Sequence, residues 1–163
     1  AQGSRVHLDL LVQSNEEEIA IELKYKTRVG KLHHAGEDFA LRNQSAQDIG
    51  RHDFIKDIQR LERYVEARNC SVGFAVLLTN DRTYWTESRK TDSVDSEFRV
   101  HEGRVLKGGA AWGAKASVGT MHKREEPIAL HGTYKMVWSD YCSLGPASNE
   151  NFRYLLIRVP GDA

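Results

Sequence analysis

Cysteine is nearly absent: Cys70 and Cys142 are the only two, and neither belongs to a CxxC pair. That excludes a disulfide framework and a zinc site of Cys/His spacing, and it points to a reducing, cytoplasmic compartment. Net charge is missing as well. The 23 Lys and Arg balance the 23 Asp and Glu, so bulk electrostatics do not announce a nucleic-acid binder, and only a local basic face can serve that purpose. No apolar run approaches the length that spans a bilayer, and residues 1–5 lack the basic-then-apolar order of a signal peptide, so no membrane partner is expected. Gly108-Gly109 and the glycines around Trp112 fit neither GxxxxGK[ST] nor GxGxxG, and there is no GxSxG, so neither a nucleotide-binding loop nor a serine nucleophile is expected. Repeats and linkers are absent too, which leaves one domain over residues 1–163.

What is present begins with two alternating segments. In residues 5–12 (RVHLDLLV), Val6, Leu8 and Leu10 share one face while Arg5, His7, Asp9 and Leu11 share the other. In residues 18–26 (EIAIELKYK), Ile19, Ile21, Leu23 and Tyr25 form an apolar face that is assigned to the core, and Glu18, Ala20, Glu22, Lys24 and Lys26 form the opposite one. The polar stretch between them suits a hairpin turn. Residues 27–44 show little periodicity and read as a loop with a short helical turn. The adjacent His33 and His34 there make a poor chelate and read as surface residues.

A helix is expected over residues 45–68. It starts at Ser45 with an acidic residue in the first turn, and Phe54, Ile58, Leu61 and Val65 follow at helical spacing. Residues 72–79 (VGFAVLLT) are continuously apolar, the pattern of a strand buried on both faces, and the crossover through the helix allows it to run parallel to the second strand. Residues 91–126 are polar and glycine-rich and read as loops or an exposed hairpin. Lys107, Lys115, Lys123 and Arg124 near Trp112 and His122 read as an ordinary insertion, with a DNA-contacting loop as the sharper alternative. Residues 134–141 and 152–159 read as late strands. The order implies an α/β or α+β sheet with the helix packed on it.

A hairpin folded about Asn15 and Glu16 pairs residues whose numbers sum to 31, which sets Asp9 opposite Glu22. Opposed Cβ atoms in an antiparallel pair lie about 4.5–5.5 Å apart, and two carboxylates that close repel unless a proton or cation sits between them. Such a pair suits a hard, oxygen-seeking cation, Mg²⁺ or Mn²⁺, and the Leu23 carbonyl points near the same place. Lys24, two residues beyond Glu22 on the same face, can hold or deprotonate a water or stabilise charge on phosphorus. The plain alternative is a solvated strand face of mixed charge.

These residues resemble the PD-(D/E)XK nuclease superfamily, whose restriction-endonuclease-like fold is an α/β mixed sheet flanked by helices. The family motif is an Asp at the end of one strand and Glu-x-Lys on the next, then a helix and a further core strand. Asp9, Glu22, Lys24, the helix after Ser45 and the strand at 72–79 match in that order, over roughly the first half of the chain. The resemblance implies a divalent-metal-dependent endonuclease acting on DNA, with Asp9 and Glu22 holding the metal and Lys24 managing the attacking water. Helices in this position often line the active site, so Lys56 and Arg60 become candidates for phosphate contact, against a plainer reading as part of a solvated helix face. Two departures accompany it. Leu8 stands where the family name has proline, and only Ala1 to Ser4 precede the first motif strand, where such folds usually carry a helix. The expectation is a fragment, a member lacking that helix, or one that borrows it from a partner. The alternative from another class is a non-catalytic nucleic-acid-binding or protein-interaction module on the same fold. A homodimer would be needed for concerted cuts of both DNA strands.

Overall fold

The computed structural model describes residues 8–15, 17–68, 72–147 and 149–161. Its centre is a mixed five-stranded sheet. The first hairpin joins β1 (Leu10–Gln13) to β2 (Glu18–Lys26). Ser14 closes its turn: the Ser14 backbone N–H donates to the Glu17 carbonyl at 2.8 Å, and the Glu17 N–H donates back to Ser14 Oγ at 3.0 Å. The register is the expected one, with Leu10 facing Ile21 and Val12 facing Ile19. Residues 5–7, where this strand was expected to begin, lie outside the described residues, as does Cys70.

Residues 27–44 are not a loop. They contain a second hairpin, β3 (Gly30–His34) and β4 (Glu37–Leu41). Its two-residue turn puts Ala35 at φ 51° and Gly36 at φ 82°. Paired positive φ values match the twist of the flanking strands, and Ala-Gly is an unadvertised way to reach them. His33 and His34 are exposed, and His33 Nδ1 lies 2.7 Å from Asp38 Oδ1 across the hairpin.

The long helix α1 (Gln47–Arg68) begins two residues later than expected. Ala46 adopts φ 64°, so the chain turns there and Ser45 cannot act as the cap. The crossover through α1 delivers β5 (Val72–Thr79) parallel to β2, with Glu22 beside Ala75 and Lys24 beside Leu77. The strand is not buried on both faces. Ala75, Leu77 and Thr79 are fully buried under α1, while Val72, Phe74, Val76 and Leu78 on the other face are only partly covered.

A short 3₁₀ turn at Ser96–Phe98 follows, then β6 (Val105–Ala110) and a four-residue helix α2 (Val118–Met121). β6 pairs with β7 (Ile128–Lys135). One face of that hairpin is exposed and the other packs against α1, where Phe98, Val100, Leu106, Ala110 and Ile128 complete the core. A bulge after Lys107 leaves His131 and Gly132 out of the ladder. The buried Glu62 carboxylate accepts from both of their N–H groups and from the Tyr134 hydroxyl, which locks β7 to the helix. Residues 134–141 are not one strand either. They end β7 and begin β8 (Trp138–Ser143), in different sheets. β9 (Asn151–Pro160) lies between β5 and β8, antiparallel to both.

The result is a mixed α/β architecture in which, among the described residues, helix covers one face of the sheet instead of both. No helix among the described residues is long and apolar enough to cross a membrane.

Candidate metal centre

The two faces of β2 are as alternation sorted them, but their burial is reversed. Leu23 and Tyr25, assigned to the core, are each 49% exposed. Ala20 and Glu22 are buried instead, under α1. An ionised carboxylate in that position is costly unless neutralised, so its neighbours decide its state.

Asp9 sits one residue before β1, at the next position of the register, and so faces Glu22. Asp9 Oδ2 accepts a 2.8 Å hydrogen bond from the Leu23 N–H. A residue's N–H and C=O lie on the same edge of a strand, so the Leu23 carbonyl shares the edge occupied by Asp9. From the helix, Arg60 Nη2 lies 2.9 Å from Glu22 Oε1 and 2.7 Å from Asp57 Oδ1. Lys24 Nζ lies 2.8 Å from Asp57 Oδ2. The site therefore contains three carboxylates, Asp9, Glu22 and Asp57, interleaved with two cations, Lys24 and Arg60.

Burial pushes the Glu22 carboxyl up to about 7; the Arg60 guanidinium opposes this, while Asp57, Asp9 and a hydrogen bond with the Asp9 carboxyl reinforce it. Asp57 is raised for the same first reason, burial, against the pull of Lys24 and Arg60. For both groups burial, more than the neighbouring carboxyls, favours the protonated form. Although Glu22 Oε1 lies close to Arg60, it is buried and receives no well-aligned hydrogen bond. A buried oxygen left short of a donor beside a second carboxylate can accept a small hard cation.

Among the described residues no group of three or more His, Cys, Asp and Glu side chains is disposed to hold a metal ion. Mg²⁺ does not require one, since it commonly binds through one or two carboxylates and keeps several waters. Asp9 and Glu22, with the Leu23 carbonyl edge, fit that donor set.

The other expected residues are placed as follows. Arg60 is drawn into the carboxylate cluster, paired with both Glu22 and Asp57. Lys56 Nζ bonds Gln59 Oε1 at 2.8 Å and lines an adjoining cleft of about 350 Å³ with His52, Asp53, Lys123 and Arg124. Arg124 grips Asp53 through two bonds of 2.7 and 2.9 Å. Burial alone would raise the Asp53 carboxyl, but hydrogen bonds from His52 and Arg124 hold it well below the usual range. Trp112 stacks on His52 at 5.4 Å and donates to the Arg124 carbonyl, so it packs into the protein and is no platform for a base. Asp57 is the residue that spacing did not single out. Its only sequence signal was the i, i+3 relation to Arg60, which is common on solvated helices.

No family model, curated protein or solved structure matches this chain.

Proposed function

We propose that the chain is a divalent-metal-dependent phosphodiesterase of the PD-(D/E)XK type, cutting DNA through Asp9, Glu22 and Lys24. The observation that carries this reading is the buried Glu22 directly opposite Asp9, with Lys24 on the same strand face. The order of hairpin, helix and parallel strand around it agrees with a restriction-endonuclease-like core.

When bound, Mg²⁺ or Mn²⁺ lowers the pKa of water and neutralises charge gathering on the phosphate. Asp9 and Glu22 would hold it, with the Leu23 carbonyl contributing from the same edge. Asp57 orients the Lys24 ammonium, which is then positioned to donate to a phosphate oxygen or to steer the nucleophile. Arg60 lies against Glu22 and is 40% exposed along its side chain, so it has room to turn outward and would leave Glu22 to a cation.

The same ion pairs favour a second reading. Lys24 and Arg60 already satisfy much of the acidic charge, as they would in a non-catalytic binding module on this fold. Cleavage of supercoiled plasmid and of a labelled single strand, with Mg²⁺, Mn²⁺ or EDTA, separates the two. The nuclease reading predicts metal-dependent cutting that falls at least 100-fold, an order-of-magnitude expectation, in Glu22→Ala. A folded wild type that cuts nothing under any of these conditions supports the binding module.

A further inference from the structure

A second cleft lies beyond the carboxyl ends of the parallel strands β2 and β5. Its volume is about 310 Å³, and Arg28, Val29, Asn80, Arg82 and Asn149 line it. The crevice outside the carboxyl ends of parallel strands is where open α/β sheets generally take ligands, and this volume is at the small end for such sites.

Its walls are fixed by one buried side chain. Asn80 is 1% exposed; its Oδ1 accepts from the Arg28 N–H at 2.7 Å, and its Nδ2 donates to the Asn149 carbonyl at 2.6 Å and to the Arg28 carbonyl at 3.3 Å. Asn149 in turn donates to the Val29 carbonyl at 2.9 Å. Three separate chain segments are thereby tied into one rigid cradle. Neither the Arg28 nor the Arg82 guanidinium has an ion-pair or hydrogen-bond partner among the described residues, and no carboxylate lines the cleft. The neighbouring Asp81 is turned inward, where it accepts from Gln47 and Thr83. Two unpaired cations sharing one concavity repel each other and focus a positive potential there. Guanidiniums are also the groups best shaped to grip a phosphate through paired N–H bonds.

We propose that this cleft binds a backbone phosphate of a polynucleotide strand, with Arg28 and Arg82 as its ligands. The proposal deepens the nuclease reading and rests on it for the identity of the strand. Arg28 lies six residues beyond Glu22, about 20 Å along extended chain, so the phosphate held here is several nucleotides from the one at the metal centre.

Binding of a fluorescently labelled single-stranded oligodeoxynucleotide, followed by anisotropy in EDTA over a salt series, tests this without cleavage. Each phosphate contact contributes about 0.7 to the logarithmic salt slope on a single strand. The Arg28→Gln/Arg82→Gln double variant should therefore flatten the slope by about 0.7 and weaken binding about 5-fold at 0.1 M salt. Both side chains are exposed, so its thermal melt should match wild type. An unchanged slope and affinity, or no binding by wild type, overturns the proposal. So does saturation of the arginines by millimolar inorganic phosphate in a protein that ignores the strand, since the site would then serve a free anion. Arginine-dependent binding by a wild type that never cuts would sustain the phosphate site and sink the nuclease.

Discussion

The two faces of the central sheet are built on opposite terms. Under α1, the β2 residues are Ala20, Glu22 and Lys24, and burial there is close to complete for Ala20 and Glu22. On the outer face, Ile19, Ile21, Leu23 and Tyr25 join Leu10, Val12, Val76 and Leu156, and much of this apolar surface is open among the described residues. A chain arranged for stability alone would bury the second set and solvate the first. The reversal says that α1 is held against the sheet partly to bring Asp57 and Arg60 to Glu22 and Lys24. Its cost is offset elsewhere by Phe54, Ile55, Ile58 and Leu61 on the same helix, all essentially without exposure.

The contrast can be sharpened by substitution on either face. The largest effect belongs to the apolar part of the helix-covered side. Leu77 is fully buried there, and Leu77→Ala should cost about 2–5 kcal/mol in denaturant unfolding. A cost under about 1 kcal/mol would mean that α1 does not pack as described.

The charged part of the same face should behave in the reverse way. Glu22 titrates near 7 when folded, against an ordinary 4.5. The folded state therefore binds this proton more tightly than the unfolded one. Below about 4.5 both states are protonated and the group is neutral in its effect; as pH rises through 7 it subtracts stability progressively. In EDTA at pH 8, Glu22→Gln should be the more stable protein by something on the order of 2–3 kcal/mol, with the gain gone near pH 4.5. Thermal melts across that range check this. A Gln variant weaker than wild type at pH 8 would mean the Arg60 pair outweighs the burial of Glu22.

The smallest effect is expected outside. Leu156 is 48% exposed on the outer face, and Leu156→Ser should change stability by less than about 1 kcal/mol. Loss comparable to Leu77→Ala would show that this face is covered.

Alternation sorted β2 correctly because a strand has period two whatever lies above it. It could not say which face α1 would cover, and hydrophobicity pointed to the wrong one because the covered face is held by ion pairs. The Asp9–Glu22 pairing was legible because the turn between the strands is short enough to define its own register. Asp57 was not, since its contact with Lys24, 33 positions away in the chain, depends on how helix and sheet pack. The β3–β4 hairpin escaped for a local reason: Ala35-Gly36 performs a turn that Asn-Gly would have advertised. The cleft at Arg28 and Arg82 is likewise tertiary, assembled by Asn80 from three distant segments.

Calorimetric titration of Mg²⁺ into wild type and Glu22→Gln, at pH 7 in two buffers of different ionisation heat, addresses the metal centre most directly. Glu22 must ionise to bind a cation, so wild type should take up one ion and release about half a proton, and the variant should do neither. Equal binding by both proteins, or none by wild type, would contradict a metal site at Asp9 and Glu22.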